Sequence, residues 1–270
     1  MTAGVVERKA AIAGSGLHTV CESARCPNLS ECFRAGTATF LVMGNSCTRA
    51  CGFCAVDQGA PQPLDPKEGI RIAGQVRRMG IRFAVITSVT RDDLPDGGAG
   101  HFVRLVTDLR AALPDLGIEL LVPDFQGRAE SVAAVAALPI QVFGHNLETV
   151  ASLDPAVRRG AGYQRSLAVL RAARRAGAAA VKSGIMVGLG ETAAELDELF
   201  ADCAAAGVSL LTIGQYLRPR RENLPVRRYV TPQEFAEMAD AARRAGIQVV
   251  EAGPYVRSSY HAESVYRKKI

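Results

Sequence analysis

From Thr39 onward, short apolar runs alternate with amphipathic stretches, and this alternation constrains the fold more than any other feature of the 270 residues. The runs are TFLVM (39–43), FAVITSV (83–89), IELLV (118–122), IQVFGHN (140–146), AAVKSGIMVGL (179–189), VSLLTIGQY (208–216) and IQVVEAG (247–253). Most are rich in Val, Ile and Leu, the composition of strands buried on both faces. Between them lie helix-like segments at 65–80, 100–113, 126–138, 162–177, 191–207 and 231–246. Gly80 is placed to stop the first. The last opens on Thr231, Pro232 and Glu234, which predicts a capping box. Strand and helix alternating about six times predict an α/β fold with a parallel sheet. A closed eightfold barrel takes roughly 250 residues, whereas this repeat occupies 37–246. The expected architecture is therefore a partial (βα)6 TIM-type barrel, with an N-terminal extension over 1–36 and a C-terminal segment over 247–270.

Six of the seven cysteines crowd between Cys21 and Cys54. Cys47, Cys51 and Cys54 form C-x3-C-x2-C directly after the first predicted strand. An odd set this close argues against disulfides. Zinc sites usually take four ligands, and a ferredoxin needs a fourth cysteine nearby. Three thiolates in one loop suggest a [4Fe–4S] cluster with one iron open to a ligand other than protein. Cys21, Cys26 and Cys32 form a second triplet, C-x4-C-x5-C, which implies a second cluster with a fourth ligand from elsewhere. Cys203, within ELFADCAAAG, reads as a buried structural cysteine. An electron carrier with two stable clusters and a zinc-binding module are the alternative readings.

The first triplet, at this position in a partial barrel, resembles the radical S-adenosylmethionine superfamily. That resemblance implies an open iron that chelates S-adenosylmethionine and an electron that releases a hydrogen-abstracting 5′-deoxyadenosyl radical. The stretches LHTVCESARCPNLSEC, ATFLVMGNSCTRACGFCAV, TSVTRDDLPDGGAGHF, GHNLETV, KSGIMVGLGET, LTIGQYLRP and VRSSYHA resemble the lipoyl synthase family between Leu17 and Ala262. The resemblance implies that Cys21, Cys26, Cys32 and Ser259 hold an auxiliary [4Fe–4S] cluster, carried by the two extensions and consumed as the sulfur source. A serine alkoxide is a poor ligand for a soft iron compared with thiolate, which suits a cluster that must come apart. On the residues alone, RSSY reads as a polar turn.

The implied reaction inserts sulfur at C6 and C8 of an octanoyl chain on a lysine of a lipoyl-carrier domain. Implied carriers are 2-oxoacid dehydrogenase acyltransferase subunits and the glycine cleavage H protein, with flavodoxin or ferredoxin as electron donor. A different sulfur-inserting enzyme, of the biotin synthase kind, is the rival within the superfamily. Arg257 is expected to orient substrate or shield the cluster. GIMVGLGE matches the superfamily pattern except for Met186, and Gly184, Met186 and Gly188 are expected along S-adenosylmethionine; a strand-to-helix turn explains the same glycines. Asn146 and Glu148 end the fourth strand, where both are expected to contact S-adenosylmethionine unless Asn146 instead caps the next helix. Arg91 and Asp92 follow the second strand similarly, in a loop that also reads as solvated charge. Lys182, in a buried strand, must reach a carboxylate or a substrate cavity. The four histidines lack mutual metal-ligand spacing. Gly52 and Asn223 depart from the family pattern, which favours a larger residue and histidine at these positions.

The net charge of +5 favours an acidic partner or carrier and is too small to argue for nucleic acid. No apolar run reaches about 18 residues, so no membrane span is expected. Glu7, Arg8 and Lys9 interrupt the start where a signal peptide needs an apolar core. The expected location is the cytoplasm, where clustered cysteines read as metal or catalytic sites.

Overall fold

A computed structural model describes residues 16–20, 26, 28, 31, 32 and 39–269. Its elements, in chain order, are β1 (His18–Thr19), β2 (Thr39–Val42), β3 (Ser46–Cys47), β4 (Asp57–Gln58), α1 (Glu68–Met79), β5 (Phe83–Ser88), α2 (Ala99–Ala112), β6 (Gly117–Leu121), α3 (Ala129–Ala136) and β7 (Val142–Gly144). There follow α4 (Asp154–Val157), α5 (Tyr163–Arg175), β8 (Val181–Val187), α6 (Ala193–Ala205), β9 (Leu210–Gln215), α7 (Pro232–Arg244), β10 (Val249–Gly253) and α8 (Ala262–Arg267).

One eight-stranded sheet runs in the order β1-β2-β5-β6-β7-β8-β9-β10. All its pairs are parallel except β1–β2. Among the described residues no pairing joins β10 back to β1 or β2. The wall is thus a partial TIM-type barrel, as the alternation predicts. Six strand–helix units are followed by β10, so the segment from 247 adds a seventh parallel strand to the wall.

Alternate residues of each strand face opposite layers. On β5, Ala84 and Ile86 join the main core, which includes Phe102 and Leu105 of α2, while Val85 joins a smaller cluster with Val142, Leu210 and Val249. Ala262 and Val265 of α8 complete that smaller cluster. The last helix thus packs at the N-terminal ends of the strands and leaves the C-terminal ends free for a cavity.

Both α6 and α7 begin with full capping boxes, at Thr192/Glu195 and Thr231/Glu234. Gly80 ends α1 as expected. The segment predicted at 126–138 divides into a short helical turn, Phe125–Gly127, and α3, while α4 and α8 carry no signal in the periodicity. Their few residues are placed by tertiary contacts. Among the described residues no helix is long and apolar enough to cross a membrane.

Candidate functional site

A cavity of about 620 Å³ opens at the C-terminal ends of the strands. Cys47, Cys51 and Cys54 line one side, Asn146 and Glu148 another, and Arg257, Ser258 and Ser259 a third. The sequence-predicted loop cysteines therefore share one space with the expected S-adenosylmethionine contacts Asn146 and Glu148 and with Arg257 and Ser259.

The cysteine loop is held from several directions. Ser46–Cys47 pairs with Asp57–Gln58 as a small parallel ribbon. Cys47 Sγ accepts from the backbone N–H of Arg49 at 3.4 Å and of Thr90 at 3.3 Å, and Cys54 Sγ from that of Val56 at 3.4 Å. Gly52 N donates to Val157 O at 2.9 Å, and Leu224 N donates to Gly52 O at 3.0 Å. Asn223 Nδ2 donates to Gly52 O at 3.1 Å and to Cys54 O at 3.0 Å. Gly52 and Asn223 are thus in contact. A Cβ on residue 52 would stand 2.9 Å from Leu224 Cδ1, so glycine at 52 lets the loop carrying Asn223 and Leu224 close over the cysteines.

Burial pushes the Cys51 thiol up to about 12, with the neighbouring Cys54 adding to the rise. Burial raises Cys54 too. Bare thiolates are costly in such a place, and a bound cation reverses that cost. Three soft donors lining a cavity, with backbone N–H groups aimed at two of them, suit an iron–sulfur cluster. Among the described residues no group of three His, Cys, Asp or Glu side chains converges to hold a single metal ion. Cluster thiolates stand further apart than the ligands of one ion.

Asn146 Nδ2 donates to Glu148 Oε1 at 3.0 Å and to Ser258 Oγ at 2.6 Å. Glu148 sits at φ 66°, a left-handed conformation that costs roughly 1–3 kcal/mol for such a residue. Two ladder bonds hold it there: Glu148 N to Gly184 O at 2.9 Å and Met186 N to Glu148 O at 2.8 Å. Burial raises its carboxyl, against the opposing pull of Arg158 and Asn146. Met186 lines the cavity beside it.

The other predicted contacts stand behind the lining. Lys182 donates to both oxygens of Glu119, at 2.8 and 3.0 Å. The two side chains are 3% and 1% exposed, so its partner is a carboxylate and not the cavity. Arg91 donates to Asp93 at 2.8 and 2.9 Å and to Met43 O at 3.3 Å. Asp92 accepts both arms of Arg49. Gly188 N donates to Glu191 Oε1 at 2.6 Å, and Glu191 Oε2 also takes the N–H groups of Leu189 and Gly190. That makes the motif a tight strand-to-helix turn. Gly184 packs among Thr212, Asn146 and Ser258.

Cys26 also lines the cavity, near Arg257. Burial lowers the Arg257 pKa, and its Nη1 donates to Val256 O at 2.6 Å. Cys32 stands near Tyr260. Tyr260 Oη donates to Glu31, which also meets His261 Nε2 at 3.1 Å. Asn28 Nδ2 donates to Tyr255 O. The C-terminal segment thus lies on the N-terminal extension, and Gly214 permits this: a Cβ there would meet Val256 O at 2.1 Å. Cys21 lies outside the described residues. Cys203 is buried in α6, as expected.

Sequence reasoning passed over Arg49 and Arg158, which line the cavity. Arg49 is 8% exposed and forks between Asp92 and Asp124, with four bonds of 2.7–2.9 Å. Burial works against ionisation of Asp124, but Arg49 outweighs it and the carboxyl titrates at about 2. Arg158 Nη1 donates to Ser166 Oγ at 2.9 Å and to Leu147 O at 3.2 Å. The only signal for Arg49 is its place between two cysteines; Arg158 sits in an Arg-Arg pair that reads as surface charge.

The family model of the Radical SAM superfamily matches residues 41–203. The chain is 51% identical over 260 residues to the lipoyl synthase of Rubrobacter xylanophilus, covering 96% of this chain and 81% of the relative. It is 52% identical over 252 residues to that of Halorhodospira halophila, covering 92% and 75%. Its fold is similar to that of the FeFe-hydrogenase maturase HydG from Carboxydothermus hydrogenoformans, with TM-score 0.62 and 14% identity, covering 98% of this chain and 74% of that one. Methylornithine synthase is similar at TM-score 0.54 and 15% identity, with 91% and 83% covered. On the matched model and these relatives, the chain belongs to the lipoyl synthase family of the radical S-adenosylmethionine superfamily.

Proposed function

We propose that this enzyme completes a lipoyl group by inserting two sulfur atoms, at C6 and C8, into an octanoyl chain on a lysine of a carrier domain. In this reading Cys47, Cys51 and Cys54 hold one [4Fe–4S] cluster, and Cys21, Cys26, Cys32 and Ser259 hold a second. The observation that carries it is that the loop thiols, Cys26 and Ser259 line one cavity. When bound, the two clusters supply the electron that cleaves S-adenosylmethionine and the sulfur that enters the product.

The chain's own residues bind, orient and shield. Asn146, Glu148 and Met186 line the cavity; the first two would bind polar groups of S-adenosylmethionine, and the apolar edge of Met186 would support its adenine. Phe53, Val56, Leu41 and Val89 give much of the lining an apolar surface, which keeps water from a reactive radical. Arg257, which donates to Pro254 O and Val256 O, lines the same cavity as Ser259 and would shield that side. The carriers are 2-oxoacid dehydrogenase acyltransferase subunits and the glycine cleavage H protein. Flavodoxin or ferredoxin delivers the electron, and the cytoplasm provides the reducing surroundings that such thiols need.

The test is mass spectrometry of an octanoylated carrier domain after anaerobic reduction with S-adenosylmethionine. The reading expects two sulfurs gained in place of two hydrogens, with 5′-deoxyadenosine released. Release without sulfur gain contradicts it.

A further inference from the structure

The loop that closes over the cysteines continues as an exposed basic strip. Residues 217–229 carry five arginines and one glutamate. Arg220 pairs with Asp57 and Arg228 with Glu234. Arg218 donates to the backbone carbonyls of Asn223 and Arg221, so its charge is not spent on a carboxylate. Arg221 and Arg227 point from exposed positions of the same loop. Among these charges two large apolar side chains stand in solvent: Tyr229 is 71% exposed and Leu217 37%. Exposed tyrosine interleaved with arginine is the composition of a protein-binding hot spot.

The strip is continuous with the cavity, since Leu217, Arg218 and Pro219 belong to its lining. It is also fixed in place. Leu224 N bonds Gly52 O, Arg227 N bonds Gly188 O at 2.8 Å, and Tyr216 Oη donates to Leu224 O at 2.8 Å. A rigid, cationic, partly apolar surface at the mouth of a buried site suits a partner that presents one long side chain into that site and carries acidic residues around its base.

We propose that residues 217–229 are the docking surface for the carrier domain, and that the domain meets it with carboxylates flanking the octanoylated lysine. The inference rests on the carrier-modifying reading above and goes beyond it by naming the surface and the partner's charge. Rim charges of this kind act through steering and salt-sensitive affinity.

The test is calorimetric titration of the anaerobically reconstituted enzyme with an octanoylated carrier domain, at low and high salt. The double variant Arg221→Glu/Arg227→Glu is expected to bind roughly tenfold or more weakly at low salt and to show a flatter salt dependence, with an unchanged melting temperature. Arg174→Glu/Arg175→Glu makes the same charge change in the last turn of α5, which leads to the opposite end of the strands. It is expected to bind as wild type does. Equal affinity of the 221/227 variant and wild type overturns the docking surface while leaving the carrier reading intact. Equal weakening in both double variants overturns it as well, since net charge alone then explains the attraction. A wild-type enzyme that binds no octanoylated carrier domain overturns the underlying reading and this inference together.

Discussion

Thr39 Oγ1 donates a 2.8 Å hydrogen bond to Ser259 Oγ, tying the first strand of the barrel to a residue 220 positions later. The bond holds the serine in the lining of the cavity that Cys26 also lines. Ser259→Ala removes the oxygen and leaves the Cys47–Cys54 loop untouched. The expected outcome is continued 5′-deoxyadenosine release with little or no sulfur insertion, read by mass spectrometry. Undiminished lipoyl product removes Ser259 from the mechanism.

Asn223 satisfies two carbonyls of the cysteine loop, those of Gly52 and Cys54. Asn223→Ala leaves both without that donor and is expected to cost about 1–3 kcal/mol. The electron paramagnetic resonance spectrum of the reduced loop cluster is expected to shift, because the loop's support changes. An unchanged spectrum and an unchanged melting temperature count against the clamp.

The Lys182–Glu119 pair joins β8 to β6 across the intervening β7, where Glu119 is level with Val142 and Lys182 with Gly144. Removing one partner strands the other charge in the core. Lys182→Met is expected to destabilise by about 3–5 kcal/mol, whereas Lys182→Met with Glu119→Leu is expected to recover most of the loss. Denaturant unfolding of the three proteins reads the cycle. Equal losses in the single and double variants contradict it.

His145 gives stability a pH dependence of known sign. Its Nδ1 meets Val122 O at 2.8 Å and its Nε2 meets Ser166 Oγ at 2.9 Å, while Arg158 donates to that same oxygen. The carbonyl must accept, so Nδ1 carries the proton and Nε2 accepts from Ser166. A second proton finds no acceptor and faces a cation. Burial first, then Arg158, lowers the pKa to about 4. The unfolded chain therefore binds more protons between pH 6.5 and 4, and stability falls as pH drops through that window. The loss is about 3 kcal/mol for a shift of this size. His145→Gln is expected to flatten that slope in denaturant titrations, and an unchanged slope contradicts the assignment.

The alternation of apolar and amphipathic segments carried the barrel, because parallel strands buried on both faces and their covering helices each leave a local signature. The capping box at Thr231 was legible for the same reason; the equivalent box at Thr192 carries the same signature and was passed over. What was not legible depends on pairing across the sheet. Lys182 announces that it needs a partner, but only the folded sheet, which sets β6 two strands from β8, brings Glu119 within reach. Arg49 and Arg158 look like surface arginines until the folded chain places Asp92, Asp124 and Ser166 around them. Gly52 and Asn223 stood out separately in the sequence, and only the structure brings them into contact.

The central claim is that this chain builds two cluster sites from two cysteine triplets and one distant serine. Iron and sulfide counts after anaerobic reconstitution test it most directly, on wild type, a Cys47/Cys51/Cys54→Ala variant and a Cys21/Cys26/Cys32→Ala variant. The account predicts about eight irons in wild type and about four in each variant. About four irons in wild type, all lost from the first variant and none from the second, would contradict it.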